Sequence, residues 1–239
     1  MNPVEIRSGV EAELALWRAT AELATALPRG SWTLVGAQMV FLIAYEHDLP
    51  IGRTSGDIDL MMDIRALTDA TQQASTTLED LGYELDPPTP DGRAHRFRRG
   101  DDVVDVLAPD GAGPRASLLT IPPGRTIAVA GGSQALARSR LVHVRLEGQE
   151  VELPCPSVLG AILIKTRAVG VADDPDKHRR DLALLLAAVD DPRSLREELR
   201  ATERSWLRRR RELLDPRHPA WRTTPGAEEA RIALEILVE

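Results

Sequence analysis

The sequence predicts an α+β protein, a mixed sheet flanked by helices that is followed by a C-terminal helical lobe. Three observations predict it. Short runs of alternating apolar and polar residues, bounded by glycine and proline, are concentrated before residue 154. From Pro154-Cys155-Pro156 onward the apolar spacing becomes helical. Between the first helices lies Gly56-Asp57-Ile58-Asp59-Leu60-Met61-Met62-Asp63, a strand with acids on one side and apolar residues on the other. The expected division is therefore a strand-bearing lobe over 1–154 and a helical lobe over 155–239.

The elements follow in order. Val10, Leu14, Trp17, Ala21 and Ala24 make one stripe, which predicts a helix from about Glu5 to Leu27, stopped by Pro28-Arg29-Gly30. Trp32–Val35 reads as a short strand closed by Gly36, and Ala37–Tyr45 as a helix apolar nearly all round, hence buried. A strand, a glycine and a helix start form a place where backbone N–H groups can meet a phosphate. After the acidic strand, Arg65–Leu81 is helix-like, and Asp86–Gly92 is a turn-rich loop. Residues 94–98 and 103–107 read as two strands around a turn at Gly100-Asp101-Asp102. The stretch from Pro109 to Ser133 reads as loop. Leu141–Leu146 and Glu150–Leu153 read as a hairpin in which His143 is an ordinary strand residue. Helices are expected from Ser157 to Ala168, from the Asp174-Pro175 start to Val189, and after Thr224-Pro225.

The candidate site begins with Asp57 and Asp59. Two carboxylates one strand repeat apart repel unless a cation lies between them, and a hard divalent cation takes oxygen ligands. Asp63 continues the same face at the strand's end. Asp105 sits mid-strand among β-branched residues, where an ionised carboxylate is costly unless paired or bound to metal; it is the expected third ligand. Lys165 lies among small apolar neighbours, as a pocket-facing anion ligand would. Lys177 and Asp181 share a helix face four residues apart, which a plain intrahelical ion pair explains. Arg208-Arg209-Arg210-Arg211 reads as a solvated face or as a phosphate-backbone contact.

Composition sets outer limits. The 239 residues suffice for a sizeable core, and 43% hydrophobic content is ordinary for a globular protein. A net charge of −7 argues against a globally basic nucleic-acid coat protein, and 3% aromatics against a base-stacking platform. No apolar run reaches the roughly 18 residues of a membrane span, so no membrane partner is expected. Met1–Glu5 lacks the basic-then-apolar layout of a secretory signal, and the single Cys155 has no internal partner; a reducing cytoplasm is the expected location.

Taken together, Leu34-Val35-Gly36-Ala37, Arg53–Leu60, Val104-Asp105-Val106, Lys165 and Arg180-Asp181 resemble the nucleotidyltransferases of the DNA polymerase beta superfamily. More narrowly they resemble the AbiEii-type toxins of type IV toxin–antitoxin systems. The resemblance implies a polymerase-beta-like nucleotidyltransferase fold and transfer of a nucleoside monophosphate from an NTP. It implies that Asp57, Asp59 and Asp105 hold Mg²⁺ or Mn²⁺, with Asp105 also helping to activate the acceptor hydroxyl. Gly36 and Ala37 would start the phosphate-holding turn, Lys165 and Arg180 would contact the nucleotide, Asp181 would match a later aspartate tied to activity, and Arg53 would touch phosphate or brace its loop. Ala37 replaces the family's usual Ser and Arg180 its usual Lys, so one hydroxyl is missing and one contact is reshaped. A tRNA 3′ end, or another RNA acceptor, and a cognate antitoxin are the implied partners. An antibiotic nucleotidyltransferase and a catalytically weak NTP-binding module are the alternative readings.

Overall fold

A computed structural model of the chain describes residues 2–113 and 116–239. It is a mixed α+β structure of two sheets flanked by helices. The larger sheet contains β2 (Trp32–Val35), β3 (Ile58–Met62), β4 (Glu84–Leu85), β5 (Arg96–Arg99) and β6 (Asp102–Pro109), in the order β2-β3-β6-β5-β4. A short strand, β7 (Ala128–Val129), also pairs with β6. The smaller sheet joins β1 (Val4–Glu5) to the hairpin of β8 (Ser139–Leu146) and β9 (Gln149–Pro156). A hydrogen bond of 2.8 Å from the Ser139 hydroxyl to Thr33 Oγ1 ties the smaller sheet to β2.

The strands β3 and β6 are parallel, whereas β2 and β5 run antiparallel to them. Parallel neighbours need a long crossover, and here the crossover carries α3 (Ala70–Asp80) and β4–β5. Ile58, Leu60, Val104 and Val106 are fully buried, as one inward face of the two strands requires. Behind the sheet, α1 (Glu11–Ala26) and α2 (Gly36–Glu46) close the core. The latter is buried from Ala37 to Ala44, in keeping with its all-round apolar sequence.

Several expectations are corrected. The first helix starts at Glu11, because Val4–Glu5 pair in parallel with Val144–Arg145 and the chain turns at Ser8-Gly9. The helix buries Leu16, Trp17, Thr20 and Leu23, while Val10 is 47% exposed; only Trp17 of the expected stripe is fully buried. The helix after the acidic strand starts at Ala70 rather than Arg65. The segment before Ser133, read as loop, contains β7, and α4 (Gly132–Ala137) begins at its end. Gly131-Gly132 is a point of close packing. A Cβ on Gly131 would lie 2.9 Å from Ile164 Cα, and one on Gly132 would lie 2.8 Å from Met61 Sδ.

The helices of the C-terminal half are α5 (Val158–Ala168), α6 (Pro175–Ala187), α7 (Pro192–Glu197), α8 (Ala201–Arg208) and α9 (Ala227–Val238). Asp174 caps α6 as its sequence predicts, and Ser157 caps α5. The preceding strand β9 runs through the expected lobe boundary to Pro156. Apolar side chains from both halves, among them Leu60, Val106, Ile162 and Leu182, belong to one core. Among the described residues no helix is long and apolar enough to cross a membrane.

Candidate active site

Three strand pairings build the site. Val35 stands opposite Asp59, Asp59 opposite Asp105, and Asp105 opposite Arg96. The row Val35–Asp59–Asp105–Arg96 therefore crosses the sheet at one level, and facing positions in register share a face. Asp57, two residues before Asp59, joins the same side. Each of the three aspartates offers a carboxylate oxygen, and these oxygens lie within 4.8 Å of one another. Asp63, at the strand's other end, instead accepts from the amides of Arg65 and Ala66 at 3.1 Å each and lies outside the cluster.

Burial, followed by the charges of Asp57 and Asp105, pushes the Asp59 carboxyl up to about 7. The nearby ammonium groups of Lys165 and Lys177 pull it the other way. Asp105 is 6% exposed, and both its oxygens accept from Arg96, Nε at 2.8 Å and Nη2 at 2.7 Å. The same guanidinium reaches within 3.7 Å of Asp57. One guanidinium thus contacts two of the three carboxylates.

Gly36 is fixed by this geometry. Its φ is +68°, and a Cβ there would lie 1.7 Å from Asp59 Oδ2. Only glycine lets α2 start against the acidic row. The first turn of α2 carries no side-chain cap, and Gly36 and Ala37 line the same cleft as the aspartates. The cleft is about 350 Å³ in volume. Leu107, Ile127, Val129 and Val171 contribute apolar lining to the cleft, and Lys165, Lys177 and His178 line it as well. Burial, then the Lys165 charge, pushes the His178 imidazole down to about 4, so it is neutral at neutral pH.

A second charged group lies behind the cleft. Lys165, 4% exposed, places Nζ 2.7 Å from Asp181 Oδ2. Arg53 Nη2 lies 2.6 Å from Asp181 Oδ1, and its guanidinium stands 5.1 Å from the centre of the Phe41 ring. Burial raises the Asp181 carboxyl, but the Lys165 and Arg53 charges overcome it and hold it below its ordinary value. Asp181 does not take the expected intrahelical partner: both oxygens are used by α5 and by the loop before β3, and no Lys177–Asp181 pair occurs among the described residues. A helix-spacing rule sees only local neighbours, whereas a buried carboxylate is governed by tertiary ones. Arg180 is exposed and lines a separate hollow with Arg53, Pro50 and Thr223.

The four-arginine run is divided. Arg208 donates to the carbonyls of Val238 and Glu239 at 2.8 Å each, and Arg210 lies 3.5 Å from Glu212. Arg209 and Arg211 are exposed. Sequence reasoning missed Arg96, Lys177 and His178 as cleft residues. Arg96 was within reach, because counting back from the Gly100-Asp101 turn places it opposite Asp105.

No family model matches the sequence, and no curated protein matches it. The chain is similar in structure to an antigenic nucleotidyltransferase-like protein from Paracoccidioides brasiliensis, known from a crystal structure. The two are 13% identical with a TM-score of 0.53, and the likeness covers 97% of this chain and 95% of that one. At that identity the likeness speaks to the arrangement of the backbone. The chain has a nucleotidyltransferase-like fold, with three aspartates at its centre that could hold a metal ion.

Proposed function

We propose that the protein is a metal-dependent nucleotidyltransferase that moves a nucleoside monophosphate from an NTP to an acceptor hydroxyl. The observation that carries this reading is the acidic row itself: three carboxylate oxygens within 4.8 Å, with Arg96 as the one guanidinium in ion-pair contact with it among the described residues. The donor set fits a hard divalent cation such as Mg²⁺ or Mn²⁺. It is all oxygen and bears excess negative charge, and Asp59 retains its proton to unusually high pH without a cation. Asp57, Asp59 and Asp105 are the residues that would hold it. Metal bound there would supply Lewis-acid stabilisation of charge on the transferred phosphoryl group.

The chain's own residues supply the remaining parts. Gly36 permits the start of α2 beside the acidic row, where uncapped N–H groups favour a phosphate. Arg96 holds the Asp105 carboxylate in one orientation through a two-pronged contact. Asp105 accepts the proton of the acceptor hydroxyl as its oxygen attacks the α-phosphorus. The bond from the α-phosphorus to the bridging oxygen breaks, and pyrophosphate leaves. The apolar lining of Leu107, Ile127 and Val129 excludes water that would otherwise compete as acceptor.

The resemblance to AbiEii-type toxins supports a tRNA 3′ end as acceptor and a toxin-like role with a cognate antitoxin. A small hydroxylated drug is the second reading. It is favoured by the engagement of Arg208 and Arg210 within the protein, which halves the arginine run available to RNA. The test is incubation with each α-labelled NTP, Mg²⁺ or Mn²⁺, and either total tRNA or a panel of aminoglycosides and lincosamides. Label on tRNA that disappears in Asp57→Ala supports the first reading, and label on a drug supports the second. NTP binding without transfer to any acceptor points to a binding module.

A further inference from the structure

We propose that Lys177, rather than Lys165, supplies the free ammonium that binds the polyphosphate of the nucleotide. The inference rests on the nucleotidyltransferase reading of the cleft and deepens it. Both lysines line the cleft that contains the three aspartates, but their surroundings differ. Lys165 is buried and already matched: its ammonium lies 2.7 Å from Asp181, a carboxylate that also holds Arg53. Turning that ammonium toward a ligand would leave Asp181 buried with half its counter-charge.

Lys177 is in the first turn of α6 and half-buried, and its ammonium makes no ion pair or hydrogen bond among the described residues. The carboxylate one helical turn away, Asp181, has both oxygens occupied by other cations. Lys177 nonetheless lines the same cleft as Asp57, Asp59 and Asp105. Beside it, the imidazole of His178 has a buried Nδ1 without a partner and contributes no competing charge. A polyphosphate whose one end meets the aspartates through a divalent cation needs a positive group for its other end. An ammonium on a flexible stem, with three donors and no prior partner, meets that need.

The test compares wild type, Lys177→Met, Lys177→Arg and Lys165→Met by calorimetric titration with NTPs and with inorganic tripolyphosphate. Ca²⁺ replaces Mg²⁺ in these titrations to suppress turnover. Mn²⁺ alone and thermal melting serve as controls. Lys177→Met is expected to weaken tripolyphosphate and NTP binding about tenfold or more, while Lys177→Arg recovers most of it. Lys177→Met should melt within about 2 °C of wild type and bind Mn²⁺ alone no more weakly. Lys165→Met should instead melt lower. Wild-type polyphosphate affinity in Lys177→Met overturns the proposal. So does a Lys165→Met protein that melts like wild type and has lost that affinity. A wild-type protein that binds neither NTP nor tripolyphosphate overturns the nucleotidyltransferase reading as well.

Discussion

Two groups of charges lie a few residues apart in this fold and are balanced in opposite ways. The knot of Lys165, Asp181 and Arg53 sets one buried carboxylate between two cations at 2.7 and 2.6 Å. The row of Asp57, Asp59 and Asp105 gathers three carboxylates, of which one guanidinium contacts two. The first group holds its aspartate ionised, and the second drives Asp59 toward its neutral form. Charge that is satisfied internally serves the fold, and charge that is left over is available to a ligand. The knot fastens α5 and α6 to the loop that delivers Asp57, so the balanced group positions the unbalanced one.

Breaking the two groups should give opposite phenotypes. The largest effect is expected from Asp57→Ala, which removes a carboxylate from the row. Transfer of labelled nucleotide should fall about a thousandfold, with melting temperature unchanged or raised. Asp181→Ala should cost about 3–5 kcal/mol of stability by leaving Lys165 buried and unpaired, read by chemical denaturation. If Asp181→Ala folds with wild-type stability, the knot is not structural.

The pH dependence of the metal-free protein sharpens the contrast. The folded-state pKa of Asp59 lies at about 7, above its ordinary 3.8. The folded protein therefore holds this proton more tightly than the unfolded chain does. The associated stability is fully present below about pH 4 and is lost as pH rises toward and through 7. Asp59→Asn removes the dependence. Its stability advantage over wild type should grow across that window to no more than about 4 kcal/mol, and saturating Mg²⁺ should abolish the advantage. Stability curves of both proteins from pH 4 to 8 check the sign.

A smaller change is expected from Arg96→Met. The side chain is partly exposed, so its loss should destabilise the metal-free protein by about 1–2 kcal/mol, with Mg²⁺ recovering most of that. Arg180→Ala, at an exposed site, should change stability by less than about 0.5 kcal/mol.

The acidic strand and its glycine-started neighbour were legible because both are local patterns, alternation in one case and a strand–glycine–helix junction in the other. The third aspartate was legible as a charge out of place in an apolar strand. What joins the three is the parallel register of Ile58–Met61 with Val104–Leu107, a pairing across more than forty residues that no local pattern encodes. The same limit explains the misassigned partner of Asp181, which lies within a helical turn of Lys177 in sequence but is claimed by α5 and Arg53 in space. The first helix was expected to begin at about Glu5, because the strand partner of Val4–Glu5 lies some 140 residues away. Gly131-Gly132 falls in a stretch that reads as loop, since close packing against Ile164 and Met61 leaves no mark in the sequence.

The central claim is that the acidic row binds a divalent cation, and Mn²⁺ titration of the metal-free protein tests it most directly. At pH 6.5 wild type should bind Mn²⁺ with release of protons, seen as a binding enthalpy that varies with the ionisation enthalpy of the buffer. Asp59→Asn should bind at least about tenfold more weakly and release fewer protons. Equal Mn²⁺ affinity in wild type and Asp59→Asn, or no binding in either, would contradict the account.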